Sequence, residues 1–181
     1  MTETGLFKSM NAALSFAFQY AGQASPQTPM ARMQGGSLGS GKGLVGTDGA
    51  GQAGMILAEL ERHLNLEQRL VVLVRFGAAV QHRCPCCGIV GHPQWWTEAV
   101  SNLSLADELR DLPKPIREAI VMKTVARQKM RVQNHADGYE VTERQIRRRV
   151  STAKDHFGRI ENAAIGVLQA HFEGSDLLMA A

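Results

Sequence analysis

The sequence predicts a mainly α-helical protein. Apolar residues recur at helical spacing through successive stretches, and polar capping signals stand at the starts of two of them. No strand is expected apart from two residues around the cysteines. The chain has 181 residues, 44% of them apolar, which suits one globular unit or two small ones with a tail. Eighteen glycines against 6% aromatic residues imply a modest core and much loop.

Leu6, Phe7, Met10, Ala13, Leu14 and Phe18 recur at helical spacing, so residues 1–21 are expected to carry a short amphipathic helix. Such a helix either packs on the body or docks on another protein as an arm. Residues 22–54 turn to Gly, Ser, Gln, Thr and Pro. They bury too little to offset their ordering entropy and read as a flexible linker. Gly36 to Gly43 matches the opening of a phosphate-binding loop, but Gly43 stands where a magnesium-binding Ser or Thr belongs and no strand precedes it. The match reads as a coincidence of glycine content.

Order resumes at Met55, with Ile56, Leu57, Leu60 and Leu64 in one stripe. Asn65 and Gln68 can cap a second helix that presents Leu66, Leu70, Leu73 and Val74 and stops at Gly77. Residues 93–103 form a short helix carrying Trp95 and Trp96, and residues 114–131 a longer basic one entered through Pro113 and Pro115. In the last helix Thr142 and Gln145 make a capping box, with Val141 and Ile146 as its hydrophobic staple. A seam follows through Ile146, Val150, Ala153, Phe157, Ile160, Ala164 and Val167. The domain division is therefore an arm at 1–21, a linker at 22–54, a helical domain at 55–174 with an insertion at about 82–103, and a tail at 175–181.

All three cysteines, Cys84, Cys86 and Cys87, fall together. That layout suits metal binding in a reducing compartment better than a disulfide framework, so a cytoplasmic protein is expected. Cys84 and Cys87, with two residues between them and Gly88 following, have the form of a zinc knuckle. His92 follows at a reachable distance, and the fourth ligand is open among Cys86, His82 and His135. Such a zinc is structural, because four protein ligands leave no position for substrate.

Charge is uneven: residues 110–159 hold 13 basic and 6 acidic side chains, a balance of +7 within a net +3. A polyanion partner should therefore meet the C-terminal third. The capped helix start offers Thr142, Arg144, Gln145, Arg147, Arg148 and Arg149. Behind a basic helix this is the order of parts that lets a helix-turn-helix enter a major groove of double-stranded DNA. Arg pairs with guanine, Gln with adenine, and Thr142 with the helix-start amides holds a phosphate. The fold class is thus a helix-turn-helix DNA-binding domain with a zinc-knuckle insertion and a flexible N-terminal arm. An enzyme is the least supported class, since His63, His82, His92, His135, His156 and His171 are scattered outside any recognisable catalytic pattern. No apolar run is long enough to span a membrane.

Val141-Thr-Glu-Arg-Gln-Ile-Arg-Arg-Arg-Val150 resembles the recognition-helix segment of bacterial sigma-factor region 4, and Leu66-Glu-Gln-Arg-Leu-Val-Val-Leu-Val-Arg-Phe-Gly77 resembles the helix that opens that domain. Their separation by a cysteine-bearing insertion is similar to the lambdoid phage Q-type transcription antiterminators, whose lambda-type pattern uses two cysteine pairs where this chain has one. The resemblance implies a phage or prophage protein that binds DNA near a late promoter, engages bacterial RNA polymerase, with or without its sigma factor, and promotes terminator read-through. Deleting residues 1–54 is then expected to spare DNA binding and abolish the polymerase-dependent step. The alternatives are a regulator dimeric through the seam from Ile146 to Val167, and a zinc-stabilised interaction protein.

Overall fold

The computed structural model describes residues 6–23, 46–83, 86–88, 90–173 and 177–178. Cys84, the phosphate-loop-like segment 36–43 and most of the expected linker lie outside them. The described chain is mainly helical: α1 (Met10–Gln23), α2 (Gly46–His63), α3 (Leu66–Gly77), α4 (Gln94–Leu103), α5 (Lys114–Thr124), α6 (Val132–Tyr139) and α7 (Glu143–Phe172). A small antiparallel ribbon pairs β1 (His82–Arg83) with β2 (Val90–Gly91) around the cysteine turn, where two strand residues were expected and their pairing was not. Two compact units result. One is drawn from within Met1–Asn65, Ala79–Gly91 and Ala164–Ala181, the other from Leu66–Ala78 and His92–Ala163.

In the first unit the N-terminal helix is core rather than a free arm. Phe7, Ala13, Leu14 and Ala17 are fully buried, and Phe16, absent from the expected stripe, is 2% exposed with its ring 5.2 Å from that of Phe7. Helix α1 starts later than its apolar pattern because Ser9 Oγ accepts the Ala12 amide as a cap. Ahead of it Phe7 bridges Leu178 and donates its amide to Leu177 O at 2.9 Å, so the expected tail is tied down as well.

Helix α2 begins at Gly46, inside the stretch read as linker. Its glycines cost helix propensity, but a Cβ at Gly49 would stand 2.7 Å from the Tyr20 ring of α1. Small residues here let α1 and α2 approach closely, and tertiary packing overrides local preference. Asp48 in the first turn adds a favourable charge at the helix start.

In the second unit Val71, Val74, Trp96, Leu109, Ile120 and Phe157 anchor one core. Trp96 Nε1 donates to Val74 O at 3.1 Å, which satisfies the one polar atom that this side chain brings inside. The buried face of α3 is set by Val71, Val72 and Val74, while Leu66, expected inward, is 66% exposed. Gly77 ends α3, but not by taking a left-handed backbone, which among the described glycines belongs to Gly88 at φ 71°. A Cβ at Gly77 would stand 2.5 Å from the Trp95 ring and 3.1 Å from Trp96 Cδ1, so close packing explains the glycine.

The expected helix over 114–131 is broken. Helix α5 stops at Thr124, Arg127 adopts φ 61°, and the Gln128 amide donates back to Met122 O. This is a helix termination of the left-handed kind usually supplied by glycine. A separate helix, α6, fills the space before α7, and Glu140 at φ 53° closes it.

Helix α7 follows its seam from Ile146 through Ala153, Phe157 and Ala164, all buried, and then shifts: Val167 is 40% exposed and Leu168 is buried instead. A straight α-helix drifts by about 20° per heptad against a seven-residue repeat, which moves the stripe by one position. Ile146, Ala153 and Phe157 pack into the unit's own core, so this seam is not an open dimer face. No helix among the described residues is long and apolar enough to cross a membrane.

Candidate nucleic-acid interface and metal-capable cluster

The turn from Glu140 to Thr142 joins α6 to α7, and each of its residues has a local reason. Glu140 reverses the chain in the left-handed region, and Val141 leans on the core of the second unit. Thr142 Oγ1 accepts the Gln145 amide at 3.3 Å, and Thr142 O accepts the Ile146 amide. The cap is therefore made as expected. Its reciprocal half is not the contact formed, because the Gln145 side chain turns away to donate to Asp111 Oδ2 at 3.5 Å.

At 100° per residue, with Ile146 fully buried, Arg144 and Arg148 fall on the opposite, solvent side of α7. Both are exposed and carry no ion pair with a described residue. The flanking arginines differ. Arg147 pairs with Glu143 at 2.8 Å one turn back, and Arg149 pairs with Asp111 at 2.7 Å, from the loop ahead of α5. The Arg149 guanidinium, by hydrogen bond and charge, holds the Asp111 carboxyl below its ordinary range. Of the six residues expected to meet DNA, Arg144 and Arg148 thus present unneutralised charge, Arg147 is half-neutralised on the surface, and Gln145 and Arg149 form an internal clasp. Lys129 and Arg131, exposed just ahead of α6, add to the basic character.

A second ion-pair centre lies behind this surface. Glu161, buried on α7, receives Arg75 Nε at 3.2 Å and Arg127 Nη2 at 3.3 Å. It is the acceptor that the left-handed Arg127 reaches, which ties the break after α5 to α7.

The residues expected to bind zinc are not brought together as one described set. Cys86 and Cys87 are exposed on the turn between β1 and β2, and Cys84 lies outside the described residues. His92 instead stacks on Trp96, with ring centroids 3.8 Å apart, and its Nε2 accepts Gln128 Nε2 at 3.2 Å. The aromatic face of Trp96 offers His92 a better neighbour than open solvent.

The described residues that could hold a metal ion are Glu59, His63 and His171, whose ligand atoms all lie within 4.8 Å of one another. Glu59 and His63 sit one turn apart on α2, a spacing visible in the sequence. His171 arrives from the last turn of α7, and no local pattern announces it.

No family model, curated protein or solved structure matches this chain.

Proposed function

We propose that this chain is a sequence-specific DNA-binding transcription factor whose α6–turn–α7 element enters a major groove. The observation that carries this reading is the capped start of α7, from which Arg144 and Arg148 project toward solvent with no ion pair to a described residue. An arginine pair one helical turn apart on an open face suits base-edge or phosphate contact, and the helix-start amides beside Thr142 suit a phosphate. The narrower role, antitermination through contact with RNA polymerase, is supported by the resemblance of Val141–Val150 and Leu66–Gly77 to sigma-factor region 4. No catalysis is part of this reading.

A structural zinc belongs to the same proposal. The β1–β2 ribbon and the left-handed Gly88 are the backbone that a Cys84–Cys87 knuckle needs, with thiolate ligands about 2.3 Å from the ion. Zinc there would fix the turn and leave chemistry to no side chain.

The test is selection of a binding site from a random DNA pool by the full chain at near-physiological salt. One enriched motif is expected, and Arg144→Ala or Arg148→Ala should weaken binding to it by about 1–3 kcal/mol each, with helical content unchanged. Absence of any enriched motif, or full-strength binding by the double variant, would refute the interface. Read-through of a terminator in a purified transcription reaction then tests antitermination separately.

A further inference from the structure

We infer that Glu59, His63 and His171 form a zinc-class metal site that clamps α2 to the last turn of α7 within the first unit. The inference does not depend on DNA binding or on the cysteine turn. Its basis is convergence: His63 Nε2 and His171 Nε2 each lie 3.0 Å from the same carboxylate oxygen, Glu59 Oε2. The two imidazole rings face each other at 4.0 Å with a 33° tilt. Ligands about 2.0–2.1 Å from a tetrahedral zinc stand about 3.3 Å from one another, so the Glu–His separations are already within a few tenths of an ångström of that edge.

The donor chemistry fits the ion. Two imidazoles and one carboxylate suit zinc and its neighbours among the divalent transition metals and are a poor set for calcium or magnesium, which take oxygen ligands. The surrounding shell also fits. Arg62 Nη1 pairs with the other oxygen, Glu59 Oε1, which orients the carboxylate and leaves Oε2 to the histidines. Leu60, Leu168 and Phe172 are buried on the same two helices, and Leu64 is buried just past the end of α2, so the backbone that carries the donors is fixed by packing.

A second, independent observation points to a ligand at this place. Glu59 and His171 line a cavity of about 270 Å³ together with Gln52, Met55 and Phe172. Gln52 Oε1 is buried there without a hydrogen-bond partner among the described residues. A buried acceptor left unsatisfied costs free energy. Three protein ligands leave zinc a fourth position, and water bound there would be a strong donor toward the cavity and its acceptor.

The test uses the full chain with Cys84, Cys86 and Cys87 changed to serine, so that any metal bound is not held by thiolate. Titration with Zn²⁺ should raise the thermal midpoint. Co²⁺ should give visible d–d absorption without a thiolate charge-transfer band. Glu59→Gln and His171→Ala should each weaken metal affinity by at least about 100-fold, given that outer-shell changes alone cost 10–100-fold. Should the serine variant fail to fold, zinc per chain after dialysis is compared between the wild type and His63→Gln, with a loss of one equivalent expected. Zinc that fails to stabilise the folded serine variant, or does so equally after His171→Ala, overturns the site; so does unchanged zinc content in His63→Gln.

Discussion

Asp111 shows how one carboxylate singles out a member of a row of arginines and ties it to a distant part of the chain. Arg149 Nη2 and Nε lie 2.7 and 3.2 Å from Asp111 Oδ2, and Gln145 reaches the same oxygen. The pair is partly exposed, with side-chain exposures of 33% and 40%, so its stabilisation is about 0–1 kcal/mol. Because Arg149 lowers the folded-state pKa of Asp111 below its ordinary 3.8, this contribution is complete above that value and disappears as pH falls through the lowered one. Asp111→Asn should therefore lose up to about 1 kcal/mol at neutral pH, with the difference from wild type vanishing in strong acid; urea denaturation at a series of pH values measures it. A constant difference at all pH values would mean that the pair does not titrate with folding. In the sequence this clasp is invisible: Asp111 lies far from Arg149, and the arginine run offers no clue to which member pairs with it.

Helix ends carry the clearest lesson at the scale of elements. Helices α3, α4 and the start of α7 were legible, because Pro93, Thr142 and the apolar spacing act through short-range sterics and hydrogen bonds. The break after Thr124 was not legible, since the left-handed residue that makes it is Arg127 where glycine or asparagine is usual. The ion pair to Glu161 is a long-range compensation that no window of sequence contains. Glu140 is the second such case, exposed and at φ 53°. A left-handed backbone costs a residue with a Cβ about 1–2 kcal/mol, and glycine gives back about 0.5–1 kcal/mol in unfolded-state entropy. Glu140→Gly should therefore raise stability slightly, by up to about 1 kcal/mol, whereas Glu140→Ala should not; denaturant midpoints of the two variants decide the matter.

For the whole molecule, the sequence suggested two small lobes and a tail without saying which residues each lobe would hold. Residues 1–21 were expected either to pack on the body or to dock on another protein, and Phe7, Leu14 and Phe16 prove to be interior. Phe16→Ala should cost the first unit about 3–5 kcal/mol, as measured by thermal or denaturant unfolding. A loss under about 1 kcal/mol would restore the picture of a dispensable arm. Truncation at residue 54 would likewise remove α1 and half of α2, so it reports on folding and not on polymerase contact alone. The metal-capable cluster follows the same logic. Glu59 and His63 could be read from their spacing, but His171 joins them only because the burial of Leu168 and Phe172 brings the end of α7 back to α2.

The first unit is assembled from segments that flank the second in sequence, and this orders events during synthesis. Helices α1 and α2 leave the ribosome before the second unit, yet Leu168, Phe172 and Leu177 follow it. Until then, the nascent chain holds the apolar faces of its first two helices without their C-terminal partners, while the residues of the second unit are already available to one another. Closing the Phe7–Leu177 hydrogen bond requires the longest loop in the described chain, and loop closure of that length comes late. An early-exposed, late-satisfied surface is the kind that chaperones hold, so yield in the cell should respond to chaperone supply and to C-terminal truncation before it responds to changes near the arginine face.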